Sequence, residues 1–110
     1  PYGSGIPSVD RVERAGLEKA FGERLARLPI VTMVPNLGSC AAGAGAIAIA
    51  VAAKCLAEQH LPARLNASTS VPEGLDVAAA TARAADLDAV LALSVGMGGQ
   101  IAAVVLRRVS

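Results

Sequence analysis

The run Pro29-Ile30-Val31-Thr32-Met33-Val34, the turn Pro35-Asn36-Leu37-Gly38 and the stretch from Ser39 to about Gln59 decide the fold class. A β-branched segment bounded by Pro29 and Pro35 predicts a buried strand of the parallel kind. The stretch after it is rich in Ala and carries Gly43, Gly45, Ile47, Ile49 and Val51, with Lys54, Glu58 and His60 near its end and Pro62 beyond. That pattern predicts a helix that is apolar nearly all round and therefore lies against a sheet, its small residues allowing close approach. Strand followed by buried helix gives an α/β chain.

Upstream, nine charged residues fall between Asp10 and Arg27, with apolar positions at Val12, Leu17, Phe21, Leu25 and Leu28. The near-3.6 spacing predicts an amphipathic helix whose charges form a solvated face. Asp10 reads as its N-cap, Glu13 as the third position of a capping box, and Asp10/Arg14 and Glu23/Arg27 as i,i+4 pairs. Downstream, Ala67 to Glu73 reads as a surface loop and Asp76-Val77-Ala78-Ala79 as a short strand. The apolar runs Asp88–Val95 and Gln100–Arg107 flank Gly96-Met97-Gly98-Gly99 and predict an antiparallel pair covered on both faces.

At 110 residues there is room for one domain, taken as 1–110. Hydrophobic residues make up 54% of the chain, with Tyr2 and Phe21 its two aromatics, which excludes disorder. A net charge of +1 leaves no surplus to neutralise phosphates, so nucleic acid is excluded as a partner. One His and two Cys without a Cys-x-x-Cys supply no metal centre. No charge occurs from Pro29 to Ala53, but Pro35, Asn36 and Gly38 cut that run below the roughly 20 apolar residues of a span. No membrane association is expected. The opening Pro1-Tyr2-Gly3-Ser4-Gly5 shows no signal-peptide pattern and reads as part of something longer.

Three features invite chemistry. Gly43-x-Gly45-x-x-Ala48 has a relaxed dinucleotide spacing, but it sits inside the helix and no acidic residue ends a strand about twenty positions on, so glycines for close packing explain it better. Cys40, in the first helical turn, invites a reactive-thiol reading, yet it fits a small buried hydrophobe better. Cys55 is fifteen residues further along the helix, about 22 Å and beyond disulfide reach, and His60 at the far end is a partner for the helix C-terminus rather than a base for Cys40. In Gly96-Met97-Gly98-Gly99, three glycines around a soft apolar side chain suggest backbone amides exposed to an acyl group or oxyanion.

Five motifs in one order carry a resemblance. They are Gly3-Ser4-Gly5-x-Pro7-x-x-Asp10-x-x-Glu13, Phe21-Gly22, Gly38-x-x-x-x-Gly43-x-Gly45-Ala46, Leu61-Pro62-x-x-x-Asn66 and Ser94-x-Gly96-x-Gly98-Gly99-Gln100. Together they resemble the C-terminal end of a β-ketoacyl synthase. The resemblance implies the C-terminal half of a thiolase-like αβαβα layered fold: a mixed sheet with two packed helices and a C-terminal antiparallel strand pair. It also implies a chemistry, the decarboxylative condensation of acyl and malonyl thioesters by a Cys, two His and a Lys. The Cys belongs to a part of the family's chain preceding this one. Tyr2 stands where the family has the His of its His-Gly-Thr motif, Val34 where it has the Lys, Ser39 where it has the His of Gly-His, and Met97 where it has the gating Phe.

Decarboxylation needs donors aimed at the carbonyl on which an enolate forms, and a phenol and a short hydroxyl do not reproduce two imidazoles. The resemblance therefore points to a degenerate member of the chain-length-factor kind: not an enzyme on its own, with no catalytic residue, no cofactor and no metal. The expected role is in fatty-acid or polyketide biosynthesis in the cytoplasm. Tyr2, Ser39, Met97, Gly98 and Gly99 would line a substrate pocket. The expected partners are a ketosynthase-like chain, in a homo- or heterodimer, and an acyl-carrier protein. The alternative is a protein-interaction or dimerisation module without a small-molecule role, since half of such a fold leaves apolar faces uncovered. A new chemistry on Cys40 or Tyr2 lacks a base.

Overall fold

The computed structural model describes residues 1–66, 72–77 and 79–109. The first helix, α1, spans Pro7–Phe21 and begins three residues before the expected cap, because Pro7 sits at its first position with φ already fixed for a helix. Asp10 is therefore inside the first turn and does not cap it. Its carboxylate instead accepts from Ser4 N (2.9 Å), Ser4 Oγ (2.8 Å) and Gly5 N (3.1 Å). With Asp10 so engaged, Arg14 turns to Glu18 (Nε to Oε1, 2.7 Å), another i,i+4 pair. Gly22–Arg27 tightens into a 3-10 helix, where residues three apart eclipse, so Glu23 and Arg27 lose their expected alignment.

The expected strand over 29–34 contracts to β1, Pro29–Ile30. Pro35 lies in the first turn of the short helix α2, Val34–Leu37, and its fixed φ bends the chain before the strand can extend. The next helix also starts late. A 3-10 turn at Ala41–Gly43 precedes α3, Ala44–Glu58, which ends where Gln59 takes the left-handed conformation (φ 53°). His60 Nδ1 lies 2.9 Å from Glu58 O, at the helix C-terminus where it was expected. Cys40 and Cys55 are both free thiols.

Beyond α3 come β2 (His60–Leu61), β3 (Asp76–Val77), β4 (Arg83–Ala84), β5 (Ala89–Val95) and β6 (Ile101–Arg107). They form three two-stranded sheets rather than one mixed sheet: β1 parallel to β3, β2 antiparallel to β4, and the β5–β6 hairpin. The first two sheets rest on two-residue strands, too short to extend a ladder to the hairpin. The parallel character of β1 and the strand at Asp76 match expectation, although Ala78 and most of the loop expected over 67–73 lie outside the described residues.

The hairpin is antiparallel as expected, with the register Ala89↔Arg107 through Val95↔Ile101. It is covered on one face only, which corrects the expectation of two. Gly45 of α3 lies against Ser94 so closely that a Cβ would stand 3.1 Å from Ser94 Oγ, which accounts for the helical glycine by packing. Val90 and Leu106, on that same face, join the core of Cys55, Leu56, Leu61 and Leu87. On the opposite face Val105, Ile101 and Val95 stay exposed, while Leu91 and Leu93 are half-buried. The main partner of α3 is the hairpin, and α1 packs against its own 3-10 extension. The stretch Ala41–Glu58 is long and apolar enough to cross a membrane by length and composition, with only its Ala52, Cys55 and Leu56 buried.

Candidate functional site

The site is built on the residues ahead of α1. Glu13, one turn inside the helix, accepts from Tyr2 N (2.6 Å) and Gly3 N (3.0 Å), while Asp10 holds Ser4 and Gly5. The acidic residues read as a capping box therefore tie down the incoming chain. Gly3 has φ +62°, and a Cβ there would lie 2.6 Å from Thr32 Cγ2, so only glycine lets this segment pass the end of the β1 region.

So positioned, Tyr2 reaches across to the segment before α3. Its hydroxyl lies 2.9 Å from Ser39 Oγ, a contact between residues 37 apart in sequence. Ser39 is exposed, and the following Cys40 is half-buried with its thiol 3.8 Å from Gly38 O. The adjoining Ala41 takes φ 44°, a conformation that costs a Cβ-bearing residue about 1 kcal/mol.

The other expected residues lie at the tip of the hairpin. Met97 is fully exposed and Gly98 and Gly99 are exposed beside it. Two of the turn's amides are already spoken for: Gly96 N donates to Gln100 O (2.7 Å) and Gly99 N to Gly96 O (3.0 Å). The Gln100 side chain lies where a Cβ on Gly96 or Gly98 would stand, at 2.7 and 2.8 Å, so the glycines make room for that amide. The Gly45–Ser94 contact sets the start of α3 beside this end of the hairpin, with Ser39 just ahead of it in sequence. Tyr2 and Ser39 are thus in direct contact, and Met97, Gly98 and Gly99 form a separate exposed tip.

Sequence reading missed an apolar cavity of about 300 Å³ between the end of α1, β1, α3 and β5. Phe21, Leu25, Ile30, Val51 and Cys55 contribute to its wall. Burial pushes the Cys55 thiol above its ordinary 9.0, reinforced by the nearby Glu58 carboxylate. Phe21, the sole phenylalanine, was the available signal, but helical periodicity assigned it simply to an apolar face. Among the described residues no group of His, Cys, Asp and Glu is arranged to hold a metal ion.

Comparison with known proteins adds the family. The model described as beta-ketoacyl synthase, C-terminal domain, matches residues 1–68, the part that carries Tyr2, Ser39 and the ties from Asp10 and Glu13. The chain belongs to the β-ketoacyl synthase family. It is 36% identical over 106 residues to a Streptomyces virginiae protein described as polyketide β-ketoacyl synthase 1, covering 96% of this chain and 25% of that one. Two Streptomyces glaucescens proteins are also similar. One is the tetracenomycin polyketide synthase ketoacyl synthase alpha subunit, 30% identical over 97% of this chain and 25% of the relative. The other is the beta subunit, 28% identical over 96% and 25%. The chain thus spans about a quarter of the length of the family members it matches. No solved structure matches it.

Proposed function

We propose that the chain is a non-catalytic ketosynthase-like unit of polyketide or fatty-acid assembly, of the chain-length-factor kind, which lines an acyl pocket and works with a partner chain. The observation that carries this is the Tyr2–Ser39 hydrogen bond. Under the resemblance these are the two histidine positions of a condensing site, and here each hydroxyl engages the other. A phenol and an alcohol so paired have no general base at hand and do not supply the two imidazole donors that would meet a developing enolate. With Val34 in place of the lysine, the site retains a polar pair without the charge chemistry of condensation.

In this proposal Tyr2, Ser39, Met97, Gly98 and Gly99 contact an acyl thioester, Met97 acting as a pliable apolar gate. The 110 residues act as one unit, completing a thiolase-like layered fold with the remaining elements of a synthase. Relatives named as alpha and beta subunits support a ketosynthase-like partner. In this proposal an acyl-carrier protein is the donor and the cytoplasm the place of work. The test is titration of a fluorescent acyl-pantetheine into the chain and its Met97→Trp variant. Saturable binding that the bulky indole abolishes is expected; unchanged affinity removes the pocket.

One observation favours an interaction module instead. The uncovered hairpin face exposes Val95, Ile101 and Val105, which a second chain would cover. A monomer at all concentrations in sedimentation, with no mass gained on adding a ketosynthase chain, counts against pairing.

A further inference from the structure

The bonds that place Ser39 lie outside the pair it forms with Tyr2. Asn36, in α2, spends both ends of its side-chain amide on one segment: Nδ2 donates to Ala63 O (2.8 Å), and Oδ1 accepts from Leu65 N (2.8 Å). With both ends engaged, the amide can neither flip nor swing away without losing a bond. A third bond returns from the same segment, Asn66 Nδ2 to Pro35 O (3.2 Å), with Asn66 itself in the left-handed conformation (φ 53°).

This attachment matters because α2 has little else to hold it. It is four residues long, and none of them is buried in the core. Among the described residues, the three bonds to 63–66 and the Tyr2–Ser39 bond are the hydrogen bonds that tie residues 34–40 to segments distant in sequence. Beyond α2 the chain passes two left-handed residues, Gly38 (φ 74°) and Ala41 (φ 44°), before α3 begins. Glycine takes that conformation freely; alanine keeps it only where its surroundings impose it. The surroundings act from both ends of the turn. On one side Gly45 of α3 is set against Ser94, and on the other Asn36 fixes α2 to the 63–66 segment. Ser39 stands between these two anchors.

We infer that Asn36 is the positioning residue of this site: by bonding Ala63 and Leu65 it holds the α2 end of the 38–41 turn where the Ser39 hydroxyl meets Tyr2. Its own side chain bonds neither hydroxyl, and it acts through the backbone that carries Ser39. The inference deepens the reading of Tyr2 and Ser39 as a ligand-facing pair, and only the ligand arm of its test rests on that reading.

Tyr2 is the one tyrosine of the chain, so a chain isotope-labelled in its tyrosine ring gives a single ring signal in NMR that reports the Tyr2–Ser39 bond. Ser39→Ala marks where that signal lies once the bond is gone. Asn36→Ala is expected to move the signal most of the way to the same position although Ser39 is intact, and Asn66→Ala, which removes the longest of the three bonds, part of the way. Gln59→Ala, which removes bonds at the far end of α3, is expected to lower stability and leave the signal in place, so that positioning is told apart from general loosening. A folded Asn36→Ala chain with the wild-type signal overturns the inference, as does a Gln59→Ala chain that moves it equally. Where Asn36→Ala does not fold, an unmoved Asn66→Ala signal overturns it instead.

In the ligand arm, titration with acyl-pantetheine is expected to show affinity about fivefold lower in Asn36→Ala and in Ser39→Ala, and no lower in the double variant. Additive losses would show Asn36 acting apart from Ser39 and count against the inference. A chain that binds no acyl-pantetheine in any form overturns the function proposed above, while the Tyr2 signal still decides the role of Asn36.

Discussion

Tyr2 Oη and Ser39 Oγ lie 2.9 Å apart and join the segment ahead of α1 to the segment ahead of α3. Neither segment has regular structure of its own; Tyr2 is held by Glu13 through its backbone, and Ser39 follows the end of α2. Both groups reach solvent, so the bond is worth little to stability. Tyr2→Phe and Ser39→Ala are each expected to cost under about 1 kcal/mol in urea unfolding, and the double variant no more than the larger single effect. Additive losses would mean that the two hydroxyls act independently.

Gln59 is expected to matter far more. Its amide nitrogen donates to Leu56 O (2.7 Å) and Leu87 O (3.0 Å), while its amide oxygen accepts from Leu87 N (2.8 Å). One side chain thus closes the end of α3 and fixes the entry to β5 beside the core residue Leu87. Gln59→Ala leaves part-buried backbone groups without partners and is expected to cost about 2 kcal/mol, read as a lower urea midpoint at unchanged slope.

Gly45 tests the packing of α3 on the hairpin. Alanine normally gains about 1 kcal/mol over glycine inside a helix. Here its Cβ would lie 3.1 Å from Ser94 Oγ and 3.3 Å from Ser94 Cβ, on a packed strand. Gly45→Ala is expected to destabilise the chain, and Ser94→Ala in the same chain to recover part of the loss. A stabilised single variant would show that the contact yields easily.

The two thiols should separate cleanly. Cys55 is buried with its pKa raised, and Cys40 is half-buried. Iodoacetamide at neutral pH is expected to modify Cys40 first, with Cys55 reacting only as urea unfolds the chain. The sign of the pH effect follows from the raised value. Below the ordinary thiol value of 9.0 both states hold the proton and the stabilising difference is complete. As pH rises above it the unfolded chain loses its proton first, so stability falls until the folded thiol also ionises. Cys55→Ala should remove that alkaline slope.

Much of this fold was legible in the sequence, and the failures have local causes. The antiparallel hairpin followed from two apolar runs around glycines, and α3 from an Ala-rich apolar run ending before Pro62. Where proline intervened, boundaries moved: Pro7 started α1 early, and Pro35 cut β1 to two residues. Pattern reading assigned Asp10 and Glu13 to a helix cap, but it could not foresee that both would reach back to Tyr2–Gly5. The Tyr2–Ser39 contact and the cavity beside β5 depend on residues tens of positions apart, which no periodicity encodes. The exposed face of the hairpin was missed for another reason. Continuous apolar runs signal cover on both faces, yet Val95, Ile101 and Val105 stay exposed.

A non-catalytic ketosynthase-like unit, as proposed, engages an acyl group without performing condensation. The most direct measurement incubates it with a ketosynthase-like chain and an acyl-carrier protein bearing a labelled acyl group, in the presence of malonyl thioester, and follows sedimentation together with release of carbon dioxide. The label is expected to sediment with the chain while carbon dioxide release stays at the level of the partner alone. Added release that depends on this chain and is lost in Tyr2→Phe or Ser39→Ala would contradict it.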